Sequence, residues 1–403
     1  MKTPILTLNA GSSSLKFALF SAEGKGLQAV ARGQVEGLGA KPSLVIKDRD
    51  GVLLKETQWP DADGPMSAKA ALQYVLAWIE STYPAIRVQA VSHRVVHGGA
   101  HYGAPVVLDD AVLSTLKHLD PLAPLHQPYN LAGVEAARAE FPEALQVACF
   151  DTAFHRAQPW VSDAFAIPRH LYDASVRRYG FHGLSYEYIM GELARIAPDN
   201  AKGCVVVAHL GNGASMCAIQ EGHSVSSTMG FSALDGLPMG TRTGQIDPGV
   251  LLYLLQEKGI SSAELAELLY QQSGLKGLSG ISHDMRVLEA SKAPEAAQAI
   301  DYFVFRIRRE LGAMVAILGG IDALVFSGGI GENSPRIRDR VARGFEWLGI
   351  ELDQSRNLNG ETVIPSDRSR CRIFVIKTNE EYILAHHAQD LLHRHNLLQE
   401  DAA

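Results

Sequence analysis

Apolar residues recur along the chain in two arrangements. Short runs rich in Val, Ile, Leu and Phe predict strands at residues 4–9, 15–20, 28–36, 43–47, 87–96, 145–149, 204–210, 214–220, 223–228, 323–327 and 372–376. Stretches with apolar residues three or four positions apart predict helices at residues 67–81, 109–118, 129–140, 184–196, 248–258, 262–271, 295–318 and 380–396. Because strands alternate with helices, we expect an α/β fold in which each half of the chain has a central sheet flanked by helices.

The segment from Asp120 to Asn130, DPLAPLHQPYN, carries three prolines. Proline lacks a backbone N–H and fixes φ, so it interrupts both helices and strands. We therefore expect an extended loop here.

Two segments of the chain share one plan. PILTLNAGSSSLKFALF (residues 4–20) and VVVAHLGNGASMCAIQEG (residues 205–222) each contain an apolar strand, a polar residue, a glycine-rich turn and a second apolar strand. Gly11 lies 200 residues before Gly211, about half the length of the chain. A duplicated domain explains this offset most simply, although any two hairpins share some of these features. Two similar domains would leave a cleft between them.

Composition excludes several classes of protein. At 403 residues the chain is long enough for two domains. Its net charge of −7 argues against nucleic-acid and membrane-surface binding, because no basic excess exists to neutralise phosphates or lipid headgroups. The four cysteines are scattered with no CxxC pair, which favours a reducing cytoplasm over a disulfide framework or a zinc site. No signal peptide or membrane helix is expected, because Asn9 to Ser14 interrupt the first apolar run.

Three glycine clusters each follow a predicted strand. They are NAGSSS (residues 9–14), HLGNGAS (residues 209–215) and VFSGGIGEN (residues 325–333). Glycine turns expose backbone N–H groups with no side chain in the way, a geometry suited to phosphate oxygens. None has the spacing of a Walker-type loop or of a dinucleotide-binding fingerprint. Each could be a structural turn by itself, but together they predict one nucleotide held from several sides.

Charged side chains accompany these turns. Arg94 lies in a strand of valines, where an unpaired guanidinium would be costly to bury, so it either has a carboxylate partner or binds an anionic ligand. His182 precedes Gly183, and Arg242 lies in the loop between Gly240 and Gly244. Asp151 directly follows an apolar strand, where catalytic carboxylates of open sheets project, unless it only caps a turn. Cationic groups on flexible turns suit a phosphoryl group in transfer, which carries several negative charges.

Together these stretches resemble the acetokinase family of the sugar kinase, Hsp70 and actin superfamily. The matching stretches are LNAGSSSLKF, HRVVHGG, FDTAFH, RRYGFHG, HLGNGAS, MGTRTGQIDPG, FSGGIGEN and TNEE, in this order over nearly the full length. The resemblance implies a duplicated ribonuclease-H-like fold of the actin-like ATPase type, with mixed sheets and ATP in the cleft between the domains. It also implies reversible transfer of the γ-phosphoryl group of ATP to acetate, giving ADP and acetyl phosphate, with Mg²⁺, which Mn²⁺ can replace.

The same resemblance assigns roles to individual residues. The metal residues would be Asn9 and Glu380, the catalytic residues Asp151, His182 and Arg242, and the residues that bind the acid Arg94, Val96, Leu125 and Phe181. The nucleotide contacts would be Lys16, His209, Leu210, Gly211, Asn212, Gly213, Asp284, Met285, Arg286, Gly329, Ile330, Gly331, Glu332 and Asn333. The family usually describes Asp151 as a proton donor or acceptor. Because acetate is already ionised at pH 7, we expect Asp151 mainly to organise Mg²⁺ and its waters.

The resemblance also implies how the chain is organised. One domain would span residues 1–150, completed by a C-terminal helix at 385–403, and the other residues 151–384. The second domain would form a homodimer. The enzyme would be cytoplasmic, with small molecules as its other partners and neither nucleic acid nor a membrane.

One departure from the family pattern concerns specificity. The family often has Thr-Pro in a loop where this chain has Ser232-Ala233. Losing the proline could enlarge the acyl pocket, and one extra methylene there is worth only ~1–3 kcal/mol, so propionate or another short carboxylate is the first alternative to acetate. More remote alternatives are a sugar kinase of the same superfamily, which would need a base to deprotonate a hydroxyl, and a non-catalytic nucleotide-gated binding protein of the actin or Hsp70 type.

Overall fold

The computed structural model describes residues 3–11, 14–23, 26–38, 41–59, 66–124 and 126–400. The chain divides into two compact units, the first formed by Met1–Ala153 with Asn379–Ala403 and the second by Phe154–Thr378. The predicted boundaries were 150/151 and 384/385. Beyond residue 150, the Thr152 hydroxyl accepts a hydrogen bond from the Gly98 N–H at 3.0 Å, which holds this segment to the first unit.

The described residues contain strands with the following bounds: β1 (Pro4–Ala10), β2 (Ser14–Glu23), β3 (Gly26–Glu36), β4 (Ser43–Asp48), β5 (Leu53–Gln58), β6 (Ala90–Val95), β7 (Val106–Val107), β8 (Leu145–Phe150), β9 (Cys204–Leu210), β10 (Ala214–Gln220), β11 (His223–Ser227), β12 (Ala323–Ser327) and β13 (Arg372–Val375).

The helices are α1 (Ala68–Thr82), α2 (Asp110–Lys117), α3 (Gln127–Glu140), α4 (Trp160–Asp163), α5 (Arg169–Asp173), α6 (Gly183–Ile196), α7 (Pro198–Ala201), α8 (Pro248–Gln256), α9 (Ser262–Gln271), α10 (Gly274–Ser279), α11 (Met285–Ala290), α12 (Pro294–Leu318), α13 (Gly328–Asn333), α14 (Pro335–Ala342), α15 (Gln354–Leu358) and α16 (Glu380–Glu400). Side chains of Ser67, Asp109, Ser261 and Asp284 cap the N-terminal turns of α1, α2, α9 and α11, as these residue types do in general. None of the helices in the described part of the chain has the length and apolar character that crossing a bilayer requires.

Each unit contains one mixed sheet. The first has the strand order β5-β4-β3-β2-β1-β6-β8-β7 and the second β11-β10-β9-β12-β13. In the first sheet, β1, β2 and β3 pair antiparallel in succession, and β6 and β8 run parallel to β1. In the second, β9, β10 and β11 pair antiparallel in succession, and β12 and β13 run parallel to β9. The first sheet thus contains the plan of the second, with extra strands at both edges. This repeated plan agrees with the duplicated, mixed α/β fold that the sequence predicts.

The apolar pattern predicts the long elements well. Every strand and helix that it predicts is present, with ends that differ by a few residues. It does not predict the exposed strand β5, the two-residue strand β7 or the short helices α4, α5, α7, α10, α11, α13 and α15. On α12, apolar residues spaced three or four positions apart from Ile300 to Leu318 are buried, whereas Phe305 is 63% exposed.

The prediction of an extended loop from Asp120 to Asn130 is wrong at both ends. Asp120–Leu122 form a 3₁₀ helix, and α3 begins at Gln127. Pro128 lies in the first turn of α3, where a residue without an N–H removes no helical hydrogen bond. Prolines at helix starts therefore explain the difference.

Candidate active site

Polar side chains come together at one edge of the sheet in the first unit. Asn9 lies near the end of β1, Arg94 near the end of β6, and Asp151 directly after β8. The three strands are parallel neighbours, so their carboxyl ends share an edge of the sheet, which is where open α/β sheets bind ligands. The sheet topology thereby joins three residues that are far apart in the sequence.

Arg94 is at the centre of this cluster. Its Nε donates to Asp151 Oδ1 at 2.9 Å, its Nη2 donates to Asp151 Oδ2 at 2.5 Å, and its Nη1 donates to Asn9 Oδ1 at 3.2 Å. Burial alone would lower the pKa of Arg94, but the negative charges of Asp151 and Glu380 outweigh burial and raise it. The sequence left open whether Arg94 has a carboxylate partner, and Asp151 is that partner.

Glu380, the first residue of α16, adds a second carboxylate. Its Oε2 lies 4.0 Å from Arg94 Nε. Burial raises the pKa of Glu380 to about 7; Arg94 opposes this shift, and the charge of Asp151 adds to it. Glu381 raises the pKa of Glu380 further, and Lys16 lowers it. The cluster therefore holds more negative charge than Arg94 balances.

The oxygen donors of this cluster suit Mg²⁺. The amide oxygen of Asn9 and the carboxylate of Glu380 both lie beside Arg94, and Mg²⁺ is usually bound by one or two carboxylates, water and substrate phosphates. A divalent cation would also offset the excess negative charge. Among the described residues no group of three or more His, Cys, Asp or Glu side chains could hold a metal ion, so such an ion would take most of its ligands from water and phosphate.

The other predicted residues of the first unit lie around this edge. Lys16 is paired with Asn9 across the β1–β2 hairpin and is exposed. Val96 is buried, and its N–H donates to Asn130 Oδ1 at 2.9 Å. The Asn130 amide in turn donates to a carbonyl at the end of β1, so α3 fixes the ends of β1 and β6 relative to each other. Leu125, predicted to line the acyl pocket, lies outside the described residues.

Two histidines stack on each other in the second unit. The rings of His182 and His209 have centroids 4.4 Å apart and an interplanar angle of 25°. His182 Nδ1 lies 2.8 Å from Ser215 Oγ, and His209 Nδ1 lies 2.8 Å from Ser185 Oγ. His182 has a φ of 58°, a left-handed conformation that is rare for residues other than glycine and that clusters at functional sites. The structure thus fixes the position of the His182 ring from several directions.

The second and third glycine clusters lie against each other. His209 pairs with Ser327 in the parallel register of β9 and β12. Gly328 has a φ of +74°, and a Cβ there would lie 2.7 Å from the carbonyl oxygen of Leu210. Only glycine tolerates both conditions, so Gly328 allows the two turns to approach.

Glu332, a predicted nucleotide contact, bonds within the protein. Its Oε1 accepts from the N–H of Gly328 at 3.0 Å and from the N–H of Thr378 at 3.2 Å. The Thr378 hydroxyl accepts from Ser185 at 2.9 Å, and Ser185 also contacts His209. Glu332 therefore connects the third glycine cluster to the residues that hold the stacked histidines.

A cavity of about 750 Å³ opens beside these two turns, a volume within the range of small-molecule sites. Its lining includes the predicted nucleotide contacts Gly211, Asn212, Asp284, Met285, Arg286, Gly329, Ile330 and Asn333. It also includes His283, Glu289 and Ser334, which the sequence did not predict. Asp284 caps α11 and pairs with Arg286, which lowers the pKa of Asp284 to about 2. Segments far apart in the chain thus form one cavity.

Arg242 lies on the loop between β11 and α8. Its Nη1 donates to the carbonyl oxygen of Ala233 at 3.1 Å, within the dipeptide that departs from the family pattern. The left-handed Gly274 packs directly against the backbone of Met239 and Arg242, which explains how a loop rich in glycine can be held in place. Of the remaining predicted residues, Phe181, Leu210 and Gly331 are buried, and a Cβ on Gly213 would lie 3.2 Å from His182 Nε2. None of these four lines the cavity.

Comparisons with known proteins give the family of the chain. A sequence model of the acetokinase family matches residues 4–386. The chain belongs to the acetokinase family. Its relatives include an acetate kinase of Methylocella silvestris, 59% identical over 97% of this chain and 98% of that protein, and an acetate kinase of Nitrobacter hamburgensis, 51% identical over 96% of each.

Solved structures of the acetokinase type share the fold. A propionate kinase from Francisella tularensis has a TM-score of 0.89 and 36% identity, covering 96% of this chain and 99% of that one. An acetate kinase from Porphyromonas gingivalis has a TM-score of 0.87 and 35% identity, covering 97% of this chain and 100% of that one. The family assignment and the two-sheet fold therefore rest on independent findings.

Sequence reasoning missed several hydrogen-bond partners of the predicted site residues in this acetokinase. Ser185, Ser215 and Thr378 hold the stacked histidines, and none was singled out. Ser215 and Thr378 lie within the quoted stretches HLGNGAS and TNEE, and Ser185 lies two residues after RRYGFHG. Their proximity to predicted site residues was the available signal.

Proposed function

We propose that the chain catalyses the reversible, Mg²⁺-dependent transfer of the γ-phosphoryl group of ATP to acetate, giving acetyl phosphate and ADP. The observation that carries this proposal is the way Arg94 is held. A guanidinium has five N–H donors; three of those of Arg94 bond to Asp151 and Asn9, which leaves two for a carboxylate ligand. A sugar kinase site would instead need polar groups that read hydroxyls.

The substrate needs no general base. A carboxylic acid with a pKa near that of Glu, ~4.3, is ionised at pH 7, so its oxygen is already a nucleophile. The obstacle is the repulsion between two anions. In the proposed mechanism Arg94 binds the acetate carboxylate, and Asp151 keeps the guanidinium in a fixed orientation, while its remaining lone pairs accept hydrogen bonds from water.

Mg²⁺ would be held by Asn9 and Glu380, in part through water, and it would supply positive charge to the phosphate oxygens. His182 and Arg242 would stabilise the negative charge that spreads over the equatorial oxygens during transfer. Attack in line with the leaving ADP requires no covalent enzyme intermediate.

The nucleotide would occupy the cavity of about 750 Å³ in the second unit. Gly329 lines it and carries no side chain, so a phosphate oxygen can approach the backbone there. Gly211 also lines the cavity, but its N–H donates to the carbonyl oxygen of Gly213 at 3.0 Å. Lys16, on the exposed face of the first hairpin, would contribute a positive charge to the phosphates.

Propionate is the second candidate acid. The similarity to a propionate kinase from Francisella tularensis and the presence of Ala233 where the family often has proline both favour it. Because the pocket distinguishes the two acids by one methylene, discrimination of only about 10–200-fold is expected.

The proposal includes a cytoplasmic homodimer formed through the second unit. Helix α8 supports it, because Val250, Leu252, Tyr253 and Leu255 are all exposed on this nine-residue helix. Light scattering tests the assembly: a dimer mass is expected, and a monomer mass at micromolar concentration would contradict this part of the proposal.

Trapping of the product tests the reaction. The protein is incubated with ATP, Mg²⁺, hydroxylamine and either acetate, propionate or glucose, and the acyl hydroxamate is measured by its iron complex. We expect signal with the short acids, none with glucose, and none with EDTA. ADP release with glucose but no hydroxamate with either acid would overturn the proposal, and the relative rates decide between acetate and propionate.

A further inference from the structure

His155 is a buried histidine that the mechanism above does not use. It follows β8 in the stretch FDTAFH and has no exposed surface. Its Nε2 lies 3.0 Å from the carbonyl oxygen of Phe181, and its Nδ1 lies 2.8 Å from Ser224 Oγ. Both ring nitrogens are therefore bonded, one of them to the residue that precedes His182.

The direction of these hydrogen bonds is determined. A carbonyl oxygen only accepts, so the proton of the neutral ring is on Nε2, and Nδ1 accepts from the Ser224 hydroxyl. Ser224 Oγ accepts in turn from the Gln158 amide at 2.8 Å. Burial lowers the pKa of His155 to about 4, which keeps the ring neutral and preserves this order of donors at neutral pH.

The ring of His155 also fills the space beneath a strained turn. Gly180 has a φ of +72°, and a Cβ there would lie 2.5 Å from the ring of His155. His182 has a φ of 58°, so Phe181 lies between two left-handed residues. Such conformations persist only when surrounding structure holds them, and the contact from His155 to the Phe181 carbonyl is one such constraint.

We propose that His155 is a positioning residue that holds the turn of Gly180, Phe181 and His182, and thereby places the His182 imidazole for stabilisation of the transferring phosphoryl group. The inference rests on the proposed role of His182. His155 touches neither substrate nor nucleotide in this account and acts only through the Phe181 carbonyl.

A pair of substitutions separates the two hydrogen bonds of His155. The amide nitrogen of Gln takes the place of Nε2 in His155→Gln and can still donate to Phe181, whereas the shorter Asn in His155→Asn can bond only to Ser224. A misplacement of about 1 Å can cost about 100-fold in rate. We expect His155→Asn to lower kcat by about 10- to 100-fold, with the KM for ATP little changed, and His155→Gln to recover most of that loss.

The control is Leu193→Ala. Leu193 is buried on α6, the helix that begins after His182, so its truncation destabilises the same helix without touching the turn. We expect kcat close to that of the unchanged protein below the melting temperature. If His155→Asn fails to fold, Ser224→Ala takes its place. It removes the hydroxyl that donates to His155 Nδ1, and we expect it to lower kcat by a smaller factor than His155→Asn.

A double-mutant cycle shows whether His155 acts through His182. If it does, His155→Asn has little further effect on kcat in a His182→Ala background; losses that multiply would overturn the proposal.

Histidine-selective NMR gives a readout independent of catalysis, because stacking on His209 shifts the His182 ring protons. We expect His155→Asn to abolish that shift and Leu193→Ala to keep it, and an unchanged His182 signal in His155→Asn would overturn the proposal. Normal kcat in His182→Ala alone would instead refute the role of His182, while the NMR result would still decide on His155.

Discussion

Arg94 and Asp151 form a bidentate pair, with Nε 2.9 Å from Oδ1 and Nη2 2.5 Å from Oδ2. Asp151 is buried, while Arg94 keeps part of its surface exposed. Removing one partner of a buried ion pair costs about 3–5 kcal/mol, because the other charge is left uncompensated. The two hydrogen bonds from Arg94 to Asp151 fix the orientation of the guanidinium, which in the proposed mechanism binds the acid.

Substitution of Arg94 should affect the acid and not the nucleotide. We expect Arg94→Ala to raise the KM for acetate by about tenfold or more, as the loss of a charged hydrogen bond of ~2 kcal/mol implies, with the KM for ATP nearly unchanged. Arg94→Lys is the matched control: it keeps the charge but loses the planar fork, so it should recover only part of the affinity. Steady-state kinetics with each substrate varied measure both. A selective loss of ATP affinity would count against the assignment.

Asp151→Asn should abolish most turnover. The amide keeps the size of Asp151 but can accept from only one nitrogen of Arg94, and its loss of charge removes the ion pair. We expect kcat to fall by about 100-fold or more, with ATP binding retained in a calorimetric titration. Restoration of activity by an added general base such as imidazole would show instead that Asp151 transfers a proton.

A substitution in the third glycine cluster tests nucleotide binding without destabilising the fold. A Cβ on Gly329 would have no neighbour within 4 Å, and Gly329 lines the cavity. Gly329→Ala should therefore not lower the midpoint of urea denaturation. It should raise the KM for ATP by about tenfold, because a methyl group in the path of a phosphate oxygen displaces a hydrogen bond of ~1–2 kcal/mol.

Gly191→Ala is the control for Gly329→Ala. Gly191 lies in α6, and its Cβ position is equally open. Alanine should stabilise this helix by roughly 0.5–1 kcal/mol with no effect on ATP. An unchanged KM for ATP in Gly329→Ala would mean that the nucleotide does not approach this turn.

Two buried histidines should make the protein sensitive to acid. Burial lowers the pKa of His93, which bonds to Gln146, and of His155 to about 4, whereas both titrate near 6.5 in the unfolded chain. Between pH 4 and pH 6.5 the unfolded chain binds more protons than the folded protein. The free energy of unfolding is therefore highest above pH 6.5 and decreases as the pH falls to 4. Each group contributes on the order of 3 kcal/mol.

The pH effect is measured as the difference in urea midpoint between pH 7 and pH 5. His93→Gln should make that difference smaller than it is in the unchanged protein. Glu380, whose raised pKa acts in the opposite direction between pH 4.5 and 7, is present in both proteins and does not affect the comparison. An equal difference in both proteins would show that His93 does not titrate in this way.

The sequence predicts most of the strands and helices, but it predicts few of the contacts between side chains. Apolar runs identify every strand except the edge strands β5 and β7, because burial of the apolar residues drives strand formation. A common plan is visible in the two hairpins that contain Asn9 and His209. The sequence cannot show that Asp151 pairs with Arg94, since 57 residues separate them and only the parallel register of β6 and β8 brings them together. Nor does the sequence show that Pro128 lies at the start of a helix, because proline is common both in loops and in the first turn of helices.

The site residues show the same limit. Glycine clusters identify the turns around the cavity, because few other residues allow such turns. Glu289 and Ser334, which bond to each other at 2.8 Å at the edge of the cavity, carry no such signal, since polar residues at helix ends are common on any surface.

The most direct test of the account is a crystal structure of the protein with ADP, Mg²⁺, aluminium fluoride and acetate. The distances to measure run from the guanidinium nitrogens of Arg94 to the acetate oxygens and from those of Arg242 to the fluoride ligands. We expect both to be near 3 Å, the length of a charged hydrogen bond. Guanidinium groups that point into separate solvent regions, with acetate bound to neither, would contradict the central claim.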